Sequence, residues 1–148
     1  MKVLFLHGLE SKPGGSKAIH LQNMGHEVLN PALPRSSFPD SVKIAQDVID
    51  EEQPDVIVGS SRGGAVAMAV NPRGARLVLV APAWKNYRVR PSVPSDTIVL
   101  HSTADDIIPI EDSQKIKGAS AVVPVGADHR MFDEEALSAI ARAVQGGF

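Results

Sequence analysis

Pro54-Asp55-Val56-Ile57-Val58-Gly59-Ser60-Ser61-Arg62-Gly63-Gly64-Ala65-Val66-Ala67-Met68 is the stretch on which the reading of this chain turns. Three β-branched residues in succession make a short buried strand, and the small residues after Gly63 suit a helix that packs closely. Between them lies Gly59-Ser60-Ser61-Arg62-Gly63, a G-x-S-x-G pattern. With 12 glycines and 13 serines in 148 residues, chance supplies roughly 0.08 such patterns per chain, so its weight comes from its setting. A strand leading into a sharp turn and then a helix is the setting that presents a serine hydroxyl at a helix start. The glycines have a steric reason: lacking a Cβ, they let strand and helix approach each other while Ser61 takes a strained backbone. A glycine-rich turn that only joins strand to helix is the alternative.

Working outward, similar apolar runs occur at residues 3–6, 26–29, 77–80, 98–100 and 121–125. Their continuous hydrophobicity predicts parallel strands buried on both faces. Helical patterns separate most of them. Residues 41–52 place Val42, Ala45, Val48 and Ile49 on one stripe, with Pro39 near the start and Pro54 after the end. The last pattern opens on Asp133, Glu134 and Glu135 and runs through Leu137, Ile140, Ala141 and Val144 to Gly146-Gly147. Alternating strands and helices predict an α/β fold: one domain over residues 1–148, a doubly wound, mostly parallel six-stranded sheet, and helices on both faces. Ligands then belong beyond the carboxyl ends of the strands. Residues 82–96 form the one long patternless loop, holding Trp84, Tyr87, Lys85, Arg88 and Arg90.

Composition excludes several classes. Hydrophobic residues at 43% and charged ones at 22% describe a globular chain. A net charge of -2 and six aromatics offer no footprint for nucleic acid, and nothing supports a membrane partner. The absence of cysteine removes disulfides, thiolate metal sites and a cysteine nucleophile. The opening apolar run ends at Leu6, too short for a signal peptide, and no stretch is long enough to span a bilayer, so a cytoplasmic location is expected. The histidines at 7, 20, 26, 101 and 129 include no pair at ligand spacing, so no metal and no cofactor are expected, and His7, His20, His26 and His101 are read as structural.

A serine hydroxyl attacks only when a base takes its proton, and the base needs an orienting acid. Asp105 and Asp106 follow the strand at 98–100, and either could orient an imidazole. One of the two is expected only to cap the helix that starts near Pro109. His129 follows the last strand, completing the chain order Ser, Asp, His that this motif predicts. At the first strand's end stands His7-Gly8-Leu9. In a sheet of order 2-1-3-4-5-6 strands one and three are neighbours, so Leu9 and Arg62 can aim backbone N–H groups into one crevice, where two donors would form an oxyanion hole. Phosphate binding by Gly8, Gly14, Gly15 and Lys17 is the rival for this loop, but neither G-x-x-x-x-G-K-[ST] nor G-x-G-x-x-G can be written there.

Taken together, Val3-Leu4-Phe5-Leu6-His7-Gly8, Gly59-Ser60-Ser61-Arg62-Gly63, His101-Ser102-Thr103-Ala104-Asp105-Asp106-Ile107-Ile108-Pro109 and Gly126-Ala127-Asp128-His129 resemble the α/β-hydrolase superfamily over nearly the whole chain. The likeness is to small cap-less bacterial members such as carboxylesterases, thioesterases and relatives of dienelactone hydrolase. It implies that Ser61 attacks, that His129 is the base, that the acid is Asp105 rather than Asp106, and that Leu9 and Arg62 donate the oxyanion N–H groups. It also implies a truncated sheet, because the antiparallel strands that usually precede His7-Gly8 are missing, and a minimal lid-like loop at 82–96. The Arg62 side chain departs from the family pattern and has two readings, a preference for anionic acyl groups or a solvated or acid-paired cation. Trp84 and Tyr87 are expected to line the acyl pocket, with a ring packed over the sheet as the other reading for Trp84. The function so implied is a serine hydrolase acting on small-molecule esters or thioesters. A catalytically silent binding module, or a hydrolase of peptide, lactone or carbon–carbon bonds, keeps the same fold. Oligomeric state is not legible.

Overall fold

The computed structural model describes residues 1–9 and 12–148. Among them six strands form one sheet: β1 Lys2–Leu6, β2 Glu27–Leu29, β3 Val56–Ser60, β4 Arg76–Val80, β5 Ile98–His101 and β6 Ala121–Pro124. Their order is β2-β1-β3-β4-β5-β6, and every neighbouring pair is parallel. The sequence predicted a mostly parallel sheet, and no antiparallel strand is present among the described residues. Five helices complete the elements: α1 Ser16–Asn23, α2 Phe38–Glu52, α3 Arg62–Ala69, α4 Ile110–Gln114 and α5 Glu134–Val144.

Strand periodicity sorts the core into two layers. On one face Val3, Phe5, Val56, Val58, Val78 and Val80 pack with α1 and α5 through Ala18, Leu21, Ala136 and Ile140. On the other, Leu4, Leu6, Ile57, Leu77 and Leu79 pack with α2 and α3 through Ala45, Ile49, Val66 and Ala67. Both faces are covered, so the strands read as unbroken apolar runs. Helix α2 starts three residues earlier than its stripe suggests, because Ser37 Oγ accepts the Asp40 N–H at 3.1 Å and Pro39 occupies a first-turn position where no donor is lost. Asp133 caps α5 in the same way, accepting from Ala136 N–H at 3.2 Å.

The order reverses at β1, with β2 on one side and β3 on the other. The register Leu6↔Gly59 brings the residues after both strands to a common height. Function is expected at this switch point. No helix among the described residues is long and apolar enough to cross a membrane.

Candidate active site

Ser61 sits between β3 and α3 with φ 55° and ψ −115°, a backbone that side-chain-bearing residues rarely adopt. The turn is pinned on the β4 side: Ser61 N–H donates to Val80 O at 2.9 Å, and Ala83 N–H donates to Ser61 O at 3.0 Å. Its tightness explains the glycines. A Cβ on Gly63 would stand 2.0 Å from the Leu6 carbonyl oxygen, and one on Gly59 would stand 2.4 Å from that of Gly63. Gly64 is as constrained, its Cβ position lying 2.8 Å from Pro82, a contact the motif does not announce.

Three side chains from separate loops meet here. Ser61 Oγ lies 3.0 Å from His129 Nε2, and His129 Nδ1 lies 2.7 Å from Asp105 Oδ2. A carboxylate only accepts, so Nδ1 carries the proton and Nε2 is the acceptor that faces the Ser61 hydroxyl. The Asp105 side chain is fully buried. Its other oxygen accepts the Ile107 and Ile108 N–H groups at 2.9 and 2.8 Å, which fixes the carboxylate plane. Neither acid caps the next helix, contrary to expectation: α4 begins after Pro109 without a side-chain cap. Asp105 is consumed by the turn and the imidazole, and Asp106 is exposed.

Sequence reasoning missed three supports. His101, fully buried at the end of β5, donates Nε2–H to the Ile108 carbonyl at 2.8 Å, and Asp105 Oδ2 lies 3.1 Å from the same nitrogen, so a second imidazole packs against the carboxylate. Its spacing of four residues from Asp105 was the available signal. Met131, fully buried with φ 55°, anchors the loop that carries His129, and a Cβ on Gly126 would stand 2.4 Å from its sulfur. No local pattern points to it. Ser102 joins the acid loop to the histidine loop, donating to Gly126 O at 2.8 Å and accepting from Ala104 N–H at 3.0 Å.

His7 is structural, and its position bears on the crevice. Its Nε2 accepts the Leu33 N–H at 3.0 Å, so its Nδ1–H donates to the Gly8 carbonyl at 2.9 Å. Because C=O and N–H point to opposite sides of one peptide, this bond turns the Leu9 N–H away from His7. Neither the Leu9 nor the Arg62 N–H has an acceptor among the described residues.

The Arg62 side chain is neither solvated nor acid-paired among the described residues. It is 2% exposed, donates to Ser41 Oγ at 3.1 Å and Pro34 O at 2.9 Å, and lies 5.6 Å from the ring centres of both Phe38 and Tyr87. The guanidinium thus leaves the serine and runs beneath the 34–41 segment. Trp84 and Tyr87 are placed apart as well. Trp84 packs on the α2–α3 face and donates its indole N–H to Asp112 O at 3.0 Å, while Tyr87 stacks on Phe38 with ring centres 4.8 Å apart. Neither lines the cavity beside Ser61. That cavity, of about 390 Å³, is lined by Gly8, Leu9, Lys17, Ser61, His129, Arg130 and Phe132 among others. A larger one of about 820 Å³ lies at the opposite, amino end of β3 and β4, where it holds the Asp50–Arg73 pair and no nucleophile. No cluster able to hold a metal ion occurs among the described residues.

Residues 2–90 match the uncharacterised protein family UPF0227. No curated protein matches the chain. Among solved structures, a monoacylglycerol lipase from Paleococcus ferrophilus is similar with a TM-score of 0.75 at 17% identity, covering 99% of this chain and 95% of that one. Est1E from Butyrivibrio proteoclasticus gives 0.72 at 14% identity, with 97% and 85% covered. An alpha-beta serine hydrolase homologue from Coxiella burnetii gives 0.67 at 17% identity, with 97% and 83% covered. At such identities the likeness establishes the fold, which is that of the α/β-hydrolases.

Proposed function

Because the chain belongs to the uncharacterised protein family UPF0227 and has the α/β-hydrolase fold, with Ser61, His129 and Asp105 in contact, we propose that it is a serine hydrolase of small carboxylic esters or thioesters. The observation that carries this reading is the unbroken hydrogen-bond chain from Ser61 Oγ through His129 to Asp105, starting from a serine on a strained turn.

In the proposed reaction Ser61 Oγ bonds to the substrate carbonyl carbon as its proton passes to His129 Nε2. The carbonyl oxygen becomes an oxyanion, received by the Leu9 and Arg62 N–H groups. Collapse breaks the bond to the leaving oxygen or sulfur, which takes the proton from Nε2, and a water molecule then repeats the sequence on the acyl-enzyme. Asp105 keeps the imidazole in the required tautomer and stabilises its cation. Leu9 and Phe132 supply the apolar wall, in place of Trp84 and Tyr87. The 82–96 loop would leave the serine open, because past Ala83 it is tied to the segment before β6: Val93 N–H donates to Lys117 O at 3.0 Å and Lys117 N–H to Pro91 O at 2.9 Å.

A fluorophosphonate probe tests this directly. Intact mass is expected to show one adduct on the wild type and none on Ser61→Ala. No adduct on folded protein would overturn the proposal and favour a catalytically silent binding module.

A further inference from the structure

The cavity beside Ser61 carries positive charge that the proposed chemistry does not use. Lys17 and Arg130 both line it, and among the described residues none that lines it is an acid. Lys17, in the first turn of α1, donates one ammonium proton to the Arg130 carbonyl oxygen and forms no ion pair among the described residues. Two of its N–H bonds are left without an acceptor there. The Arg130 guanidinium stands 5.6 Å over the Phe132 ring and likewise has no carboxylate partner among the described residues. Asp128, whose charge acts on Lys17, spends Oδ1 on the Arg130 N–H at 3.0 Å and makes no hydrogen bond to the ammonium.

A cation partly removed from water without a counter-ion is held at a cost, and an incoming anion relieves it. The burial at Lys17 is deep enough to bring its pKa down to about 8. Leu9 and Phe132 give the same cavity an apolar side, and Phe132, which lies against Arg130, is 45% exposed. An occupant that satisfies both sides has a short apolar portion and an anionic group.

We propose that Lys17 and Arg130 form an anion subsite beside Ser61, and that the substrates are esters or thioesters bearing a carboxylate or phosphate group. This inference rests on the hydrolase reading above. The sequence had offered Arg62 as the selecting cation, but that side chain is buried elsewhere. The subsite falls instead to residues flanking the first and last loops of the site.

The test uses two matched pairs, p-nitrophenyl hydrogen adipate against p-nitrophenyl hexanoate, and 4-carboxyphenyl butanoate against its methyl ester, each rate corrected for hydroxide reactivity. A charge-assisted contact predicts that in at least one pair the anionic member has the higher kcat/KM by about tenfold. That ratio should fall back towards unity in Lys17→Met, survive in Lys17→Arg, and weaken at about 1 M salt. Should Lys17→Met fail to fold, Arg130→Gln carries the same comparison. A wild type that favours the neutral member of both pairs overturns the subsite, as does a ratio that neither variant changes. Labelling of Ser61 with no turnover of any of the four esters also counts against the subsite while leaving the activated serine standing. Absence of both labelling and turnover removes the hydrolase reading and the subsite with it.

Discussion

At Ser61 the backbone and the hydroxyl are set by different neighbours. The φ of 55° is imposed by glycines that cannot bear a Cβ, whereas the hydroxyl's partner comes from 68 residues away. The two acids after β5 make the sharper case. Both are carboxylates at adjacent positions, and residue type does not separate them; the resemblance favoured Asp105. In the structure Asp105 receives N–H groups from His129, Ile107 and Ile108 and has the His101 ring against it, while Asp106 is exposed. Asp105→Asn is therefore expected to lower kcat by about 10³–10⁴, because an amide cannot hold the imidazole in the same tautomer. Asp106→Asn should change it by less than about threefold. Initial rates on one chromogenic ester decide the matter, and the reverse ranking would move the acid to Asp106.

Among the elements, α5 does two things through its N-cap. The Asp133 carboxylate accepts the Ala127 N–H at 3.0 Å as well as capping the helix, so the helix start is bonded to the loop that carries His129. The Ala127 N–H, with help from that of Ala136, holds the carboxyl below its ordinary value against a smaller opposing effect of burial. A depressed carboxyl contributes stability that is present above its unfolded pKa and lost as pH falls through the folded one. Asp133→Ala is expected to lower stability by about 1 kcal/mol at pH 7. Urea unfolding should show this deficit shrinking once the pH drops below the usual carboxylate range. A deficit that stays constant below that range would mean the charge plays no part. The cap was legible as an acid before an apolar stripe. The bond to Ala127 was not, because the loop's path depends on Met131 being drawn into the core.

Across the whole molecule the serine, acid and histidine loops converge at the carboxyl end of the sheet, and Lys17 ties α1 to the histidine loop through the Arg130 carbonyl. Burial lowers the Lys17 pKa to about 8, and the Asp128 charge opposes that shift. Between about 8 and the ordinary lysine value of 10.5 the unfolded chain binds a proton that the folded chain has released, so stability rises with pH in that window. Wild type should thus gain urea resistance relative to Lys17→Met between pH 8 and 10, with Asp128, His129 and Arg130 common to both proteins. Parallel profiles would show that this ammonium is not desolvated. Periodicity determined the strands, their parallel burial and the helix stripes, because each depends on contacts within a few residues or on which face a side chain must bury, and the G-x-S-x-G pattern announced the turn at Ser61. Only the tertiary structure decided where Trp84, Tyr87 and Arg62 go, that His101 packs beside Asp105, and that Lys17 and Arg130 line the cavity beside the serine. Those placements depend on loops whose neighbours are distant in the chain, and a side chain's partner there is chosen by space and charge that no local pattern records.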